Sequence, residues 1–428
     1  MKTFLKLTCI IGFALIGLSI RNANANDPMR DIPIMERQLS DFRAKGLKLG
    51  LFRVEPYLSV GIDYTSNTLK SDENEVGERI YRTIAGVGGK SDAENYELSF
   101  GASLDDRRYQ TTEDFDHTNF QGFIGLVTNF SNSSELSIQG SIGQTHQTTF
   151  ETGTINAAYN PSEIRTYDTT ARWRYQPGTI RWDFTARMTD SRFENTEFNA
   201  TGDPLIQKDR DNTEYSTAVD IAFERLSARY GQVGLTPFLG FKIDRAEFDR
   251  RDFDIDSDDF TGVDQSNWRY DVTAGIEFAP TGKLRGNARV GYGLYRPDDN
   301  DLDDQSSAIA SIDLIYLYSP LTNFTLGADR FFTNNTDDVG GTLETRLSAR
   351  VIHELTRRWI FDAGLSYANR SFSNAVEDKT WITDAGFIRR LNDRFSVAGD
   401  VQFISRESSL NNADYDETKA IIRLNTRF

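Results

Sequence analysis

The sequence predicts an all-β fold, a transmembrane antiparallel β-barrel of about 18 strands with short periplasmic turns and long extracellular loops. Three observations predict it. Apolar residues recur with a period of two, which places alternate side chains on opposite faces of an extended strand. The other parity is charged, which suits a wall between lipid and water and not a dry core. The linkers alternate between short and long.

Ser266–Pro280 shows the unit most clearly. Trp268, Tyr270, Val272, Ala274, Ile276 and Phe278 share one face; Asn267, Arg269, Asp271, Thr273, Gly275 and Glu277 share the other. The apolar face begins and ends in aromatics, as a membrane-spanning strand of roughly 9–11 residues does at its two interfaces.

Taken in order, the chain opens with a leader. Lys2 and Lys6 precede an apolar run, Leu7–Ile20, and Ala23-Asn24-Ala25 is an A-x-A cleavage pattern. Residues 1–25 therefore read as a secretory signal peptide. Cys9, the single cysteine, lies inside it, so the mature chain has no disulfide and no cysteine metal site. Formal net charge is -16, and losing Lys2, Lys6 and Arg21 makes the remainder more acidic still. That argues against nucleic acid as a partner. Residues 26–50 form a periplasmic lead. Met35, Leu39 and Phe42 recur at helical spacing, so this lead is either a small amphipathic plug or docking helix, or a loosely ordered arm, the arm being the ordinary fate of a terminus.

Residues 51–428 are the barrel. Val54, Leu58, Val60, Ile62 and Tyr64 begin the outward face. Arg79–Gly89 alternates poorly and is rich in glycine. From Tyr96 the rhythm is regular through Phe100, Ile124, Ile138, Trp173, Trp182, Val219, Phe241, Val290, Tyr316, Leu326, Phe332, Leu347, Leu365, Trp381 and Phe403 to Ile422, Leu424 and the final Phe428. Gln176-Pro177-Gly178, Ala279–Lys283, Ser319-Pro320 and Leu391–Arg394 are tight links. Thr145–Glu163, Thr189–Asn212, Arg245–Gln265, Arg296–Ser307 and Ser405–Lys419 are long ones.

The polar parity carries the candidate chemistry. Arg172, Arg174, Arg181, Arg187, Arg269, Arg285, Arg289, Arg346, Arg350 and Arg423 fall on it, with Asp183, Asp220, Asp271, Glu277 and Glu344. Rings of arginine in a wet lumen favour anions, whereas opposite charges on neighbouring strands also pair to hold a wall together. In the acidic stretch Arg250–Asp264, Asp252, Asp254, Asp256 and Asp258 alternate like a weak calcium loop, but the sixth-position glycine and closing glutamate are missing. A solvated loop is the simpler reading. AGVGGKS (Ala85–Ser91) grazes a phosphate loop, yet Ile84 stands where its first glycine belongs. His117, His146 and His353 are scattered, and no nucleophile–base pair is visible, so no enzyme and no cofactor are expected.

The stretch GLKLGLFRVEPYLSVGIDYTSN, Gly46–Asn67, resembles the opening of an outer-membrane β-barrel porin family of Gram-negative bacteria. Gly46, Lys48, Gly50, Phe52, Pro56, Tyr64 and Asn67 carry the resemblance, and Ser66 replaces the family's usual aspartate. The C-terminus, with Ile422, Leu424 and Phe428 on one face, is similar to an outer-membrane insertion signal read by the barrel-assembly machinery. Members often lie beside exopolysaccharide genes. The resemblance implies an outer-membrane channel, with lipid around it and a polar or anionic solute or a polysaccharide chain as cargo. A barrel with a closed lumen, acting structurally or through its acidic outer loops, is the alternative.

Overall fold

The computed structural model describes residues 32–37, 42, 44–72, 75–91, 93, 95–147, 161–197, 204–224, 228–230, 233–252, 260, 262–278, 283–334, 340–372, 376–409 and 413–428. The leader and Asp254, Asp256 and Asp258 lie outside them.

Eighteen long strands are present. They are β1 (Phe52–Thr65), β2 (Glu78–Ser91), β3 (Tyr96–Tyr109), β4 (His117–Ser131), β5 (Ser134–Gln147), β6 (Ser162–Tyr175), β7 (Ile180–Phe193), β8 (Asn212–Phe223) and β9 (Val233–Phe248). The second half holds β10 (Asn267–Phe278), β11 (Leu284–Pro297), β12 (Gln305–Ser319), β13 (Thr322–Asn334), β14 (Gly341–Thr356), β15 (Trp359–Ser371), β16 (Glu377–Arg390), β17 (Phe395–Ser408) and β18 (Tyr415–Arg427). Each pairs antiparallel with its successor, and β18 returns to β1, from Arg427 opposite Tyr57 to Lys419 opposite Thr65. The Phe428 N–H donates to the Pro56 carbonyl at 3.0 Å, finishing the seam. Closure leaves no sheet edge, which is what lipid demands of a β structure.

The parity read from sequence is the parity observed. Val272 and Ile276 are exposed on the outside of β10, while Asn267, Arg269 and Thr273 are buried on the inside. Aromatics gather at both ends of this apolar band. Tyr367 packs on Trp381 at 4.4 Å toward the long-loop end; Trp173 stacks on Phe184 at 5.3 Å and Trp359 on Phe361 at 5.7 Å toward the other. The two cross-strand pairs, Tyr367–Trp381 and Trp173–Phe184, contribute about 0.2–1 kcal/mol each. At the short-turn end, β4–β5, β12–β13 and β14–β15 are joined by only residues 132–133, 320–321 and 357–358. The β16–β17 turn is closed by Asn392, whose Oδ1 accepts from the N–H of Arg394 and of Phe395, both at 2.8 Å. Both barrel termini lie at this end.

Several expectations need correction. Strands run further into the long links than the apolar alternation does: β7 reaches Phe193, β17 reaches Ser408 and β18 starts at Tyr415. Beyond the apolar band the ladder hydrogen bonds continue with polar residues on both faces. The link after β7 also holds a small antiparallel pair, Thr196–Glu197 with Pro204–Leu205. The glycine-rich second strand is a full member, Glu78–Ser91, because neighbouring rings occupy the space its missing side chains leave. A Cβ on Gly86 would fall 2.4 Å from the Tyr57 ring, and one on Gly89 2.5 Å from that of Phe100. Phe332, expected on the outer face, is buried, with its ring 6.1 Å from that of Tyr295. Val54 is buried because Leu47–Leu49 folds back along β1, with Leu47 opposite it. The reversal turns at Gly50, whose φ of 60° a side chain would strain, and Gly46, at φ 67°, leads into the short strand.

Candidate functional site: the barrel interior

Every charged candidate on the polar parity lies on the strand face opposite the exposed apolar residues, but they form two kinds of wall. Along β14–β18 and round to β3 the charges are paired. Arg350 donates to both oxygens of Asp384, at 2.9 and 2.7 Å, and also to Asp362. Glu344, fully buried, accepts from Arg346 at 2.6 and 2.7 Å and faces Arg370 at 3.3 Å. Arg406 meets Asp378 at 2.8 Å with side chains only 3% and 2% exposed. Arg423 bridges to Asp63 at 3.0 Å, and Arg82 is clasped by Asp105. Glu344–Arg346 lies along one strand and Arg350–Asp384 reaches across two, while Glu344–Arg370, Arg350–Asp362, Arg406–Asp378, Arg423–Asp63 and Arg82–Asp105 link neighbouring strands.

The middle of the molecule is also tied across. Arg269 on β10 is buried, pairs with Glu214 of β8, approaches Asp244 of β9 at 3.5 Å, and donates to the Phe332 carbonyl of β13 at 3.1 Å. Arg181 pairs with Asp183, Glu224 and Glu277, and Arg289 with Asp220 at 3.3 Å. Asp271, half-buried, lies close to Gly293.

The wall of β5–β7 differs. Arg172, Arg174 and Arg187 are exposed on the interior face. Arg174 holds Asp183 through Nε at 2.7 Å, and Arg187 holds Asp168 through Nε, yet their side chains remain 56% and 55% exposed. Among the described residues Arg172 has no carboxylate partner within ion-pair distance.

The lead makes the third feature. Residues Ile34–Glu36, at the start of the stretch that Met35, Leu39 and Phe42 mark as a helix or an arm, form a single 3-10 turn against β14. Leu39 lies outside the described residues. Met35 is exposed and Ile34 is the buried side chain, at 0%. Arg37 donates to Glu354 of β14 at 3.2 Å, with both side chains buried, and to the Ile32 carbonyl at 2.9 Å. The Arg390 guanidinium lies over the Phe42 ring. Burial raises the Glu36 carboxyl above the usual glutamate range, against the pull of Arg285. Residues 32–37 therefore lie against the β14 wall, tied to it by the Arg37–Glu354 pair. Leu317, Ile352, Ile360 and Ile388 are apolar at interior positions of β12 and β14–β16, all toward the short-turn end.

The histidines are less scattered than their spacing implied. The His117 and His146 rings stack at 5.0 Å near the long-loop end, with Asn119 Oδ1 2.8 Å from His146 Nδ1. Among the described residues no group of three or more His, Cys, Asp or Glu is arranged to hold a metal. Asp252 accepts from Gln265 Nε2 at 2.6 Å. Ile422, Leu424 and Phe428 are exposed on the outer face of the closing strand and the residue after it.

The fold and its interior thus define a class: a single-chain closed β-barrel, apolar outside and charged within. Residues 40–428 match the sequence model of the family described as "Putative beta-barrel porin 2", and the chain belongs to that family. No curated protein matches the chain. Among solved structures it is similar to the FrpB iron transporter of Neisseria meningitidis (F3-3 variant), at 11% identity and a TM-score of 0.46, covering 85% of this chain and 63% of that one. It therefore spans less than two thirds of that protein's length. It is also similar to the siderophore receptor PiuA of Acinetobacter baumannii, at 10% identity and TM-score 0.45 over 90% of this chain and 82% of that one. A ferric enterobactin receptor, PfeA, of Pseudomonas aeruginosa matches at 7% and 0.45 over 88% and 81%.

Proposed function

We propose that this protein is an outer-membrane porin-like channel, inserted after removal of residues 1–25, whose interior passes small polar or anionic solutes or an anionic polysaccharide chain. The observation that carries this reading is the β5–β7 wall, where Arg172, Arg174 and Arg187 stand exposed inside an 18-strand barrel. A barrel of this strand number is wide enough for an aqueous channel. Guanidiniums facing such a channel raise the local concentration of anions. The long links face the exterior in this reading and both barrel ends face the periplasm, the usual orientation of outer-membrane barrels. Phe428, with Ile422 and Leu424, serves as the assembly signal.

Planar-bilayer recording of the purified barrel tests the proposal. Discrete openings with a reversal potential displaced toward the anion side are expected; a barrel silent both with and without the lead would contradict it.

One observation favours the second reading, a closed structural barrel: the lead seated on β14 through Arg37 and Glu354. Recording a chain that begins at Gly46 separates the two. Conduction appearing only on removal of the lead makes the lead a plug. Silence in both forms favours the structural reading.

A further inference from the structure

The interior of β5–β7 holds a small, regular array. Ser137 of β5 stands opposite Arg172 of β6, which stands opposite Thr185 of β7. In the next interior row Gln139, Thr170 and Arg187 are aligned in the same way. Each row therefore presents one guanidinium flanked by neutral hydrogen-bonding side chains. The rows are about 7 Å apart along the strands, and the strands about 4.8 Å apart across them.

Most of this array has no partner among the described residues. Among the described residues, the side chains of Ser137, Gln139, Arg172 and Thr185 make no hydrogen bond, and Arg187 uses only its Nε, on Asp168. Thr170 makes one long contact, to Asp168 at 3.3 Å. Elsewhere on the interior, arginines of comparable position are held by one to three carboxylates. The array is thus a set of donors and acceptors facing the interior with their capacity unspent.

We propose that this array is a binding site for an anionic polyhydroxylated solute, a carboxylated sugar of the uronate type. Arg172 takes the carboxylate as a fork, Arg187 supplies a second positive group one row away, and Ser137, Gln139, Thr170 and Thr185 exchange hydrogen bonds with ring hydroxyls. A bare inorganic anion would use the guanidiniums and leave the neutral groups idle. A neutral sugar would leave the guanidiniums idle. The combination selects a ligand that carries both functions. The inference rests on the channel reading only in needing water to reach this wall.

The test is calorimetric titration of the full mature barrel in detergent with trigalacturonate, maltotriose and acetate in turn, which does not depend on conduction. Trigalacturonate is expected to bind, with maltotriose and acetate each much weaker. Arg172→Gln is expected to weaken trigalacturonate by about ten- to a hundredfold, the worth of a hydrogen bond to a charged group. Arg172→Lys keeps the charge but loses the fork, and is expected to fall between the two. Heat-modified gel migration confirms that each variant is folded. Binding of trigalacturonate that Arg172→Gln leaves unchanged, or acetate bound as tightly as trigalacturonate, would overturn the site. In bilayers, trigalacturonate is expected to interrupt the current of the native barrel and not of Arg172→Gln. A conducting barrel indifferent to trigalacturonate would overturn the site while leaving the channel standing. A barrel silent both with and without the lead that still binds trigalacturonate through Arg172 would keep the site and sink the channel.

Discussion

The walls of β5–β7 and of β14–β18 are made from the same residue types and do different things with them. Arg350 and Arg172 are both arginines at interior positions. Arg350 is spent on Asp362 and Asp384 of two neighbouring strands, whereas Arg172 meets only neutral neighbours across its row. An ion pair removed from water stabilises only when each charge stays matched, and losing one partner is expensive. An exposed guanidinium carries no such penalty and is free to meet a solute. What separates a paired wall from an open one is therefore the register of carboxylates on nearby strands, not the number of arginines.

The comparison can be broken most forcefully at Asp378. Asp378→Ala strips Arg406 of a buried partner, and a loss of about 3–5 kcal/mol is expected in urea unfolding followed by gel migration. Arg172→Ala on the opposite wall should move the same midpoint within about 0.5 kcal/mol. A next, smaller effect is expected from filling the space beneath a ring. Gly86→Ala forces the Tyr57 ring aside and should cost about 1–3 kcal/mol.

On the proposed channel reading, the two walls should also differ in their effect on current. Arg346→Ala with Arg350→Ala is expected to lower stability and leave ion selectivity nearly unchanged, whereas Arg172→Ala with Arg187→Ala should shift the reversal potential toward cations and leave stability unchanged. The opposite assignment would mean that the paired wall is the selective one.

The smallest expected effect is on the lead. The folded-state pKa of Glu36 is raised by burial, so the protonated form fits the seated lead better than the charged form does. Its contribution favours seating at low pH and is lost as pH rises through that raised value, above the ordinary glutamate range near about 4.3. Open probability should climb gently with pH across this window and become flat in Glu36→Gln.

Much of the architecture was legible because a barrel writes its inside and outside on alternate residues. Trp268 to Phe278 declares its face without any knowledge of its neighbours. Pairing was not legible, since it depends on register between strands. Nothing local in Arg350 says that Asp384, from the strand after next, will reach it, or that Arg172 will have Ser137 and Thr185 beside it. Phe332 was misplaced for a related reason: a parity rule assumes that the strand stays in the wall, and near the long-loop end this ring turns into the interior beside Tyr295. Apolar residues at interior positions, such as Ile360 and Leu317, are buried at the short-turn end, which is legible only once the parity of their strands is fixed.

Cysteine accessibility tests the difference between the walls most directly, because the single natural cysteine, Cys9, precedes the barrel. Thr185→Cys and Ser366→Cys each place one thiol at an interior position, Thr185 on the open wall and Ser366 buried on the paired one. With a charged, membrane-impermeant thiol reagent added to intact barrels in lipid, the thiol at 185 is predicted to react rapidly and the thiol at 366 slowly. Equal rates, or a faster reaction at 366, would contradict the division of the interior into an open and a packed wall.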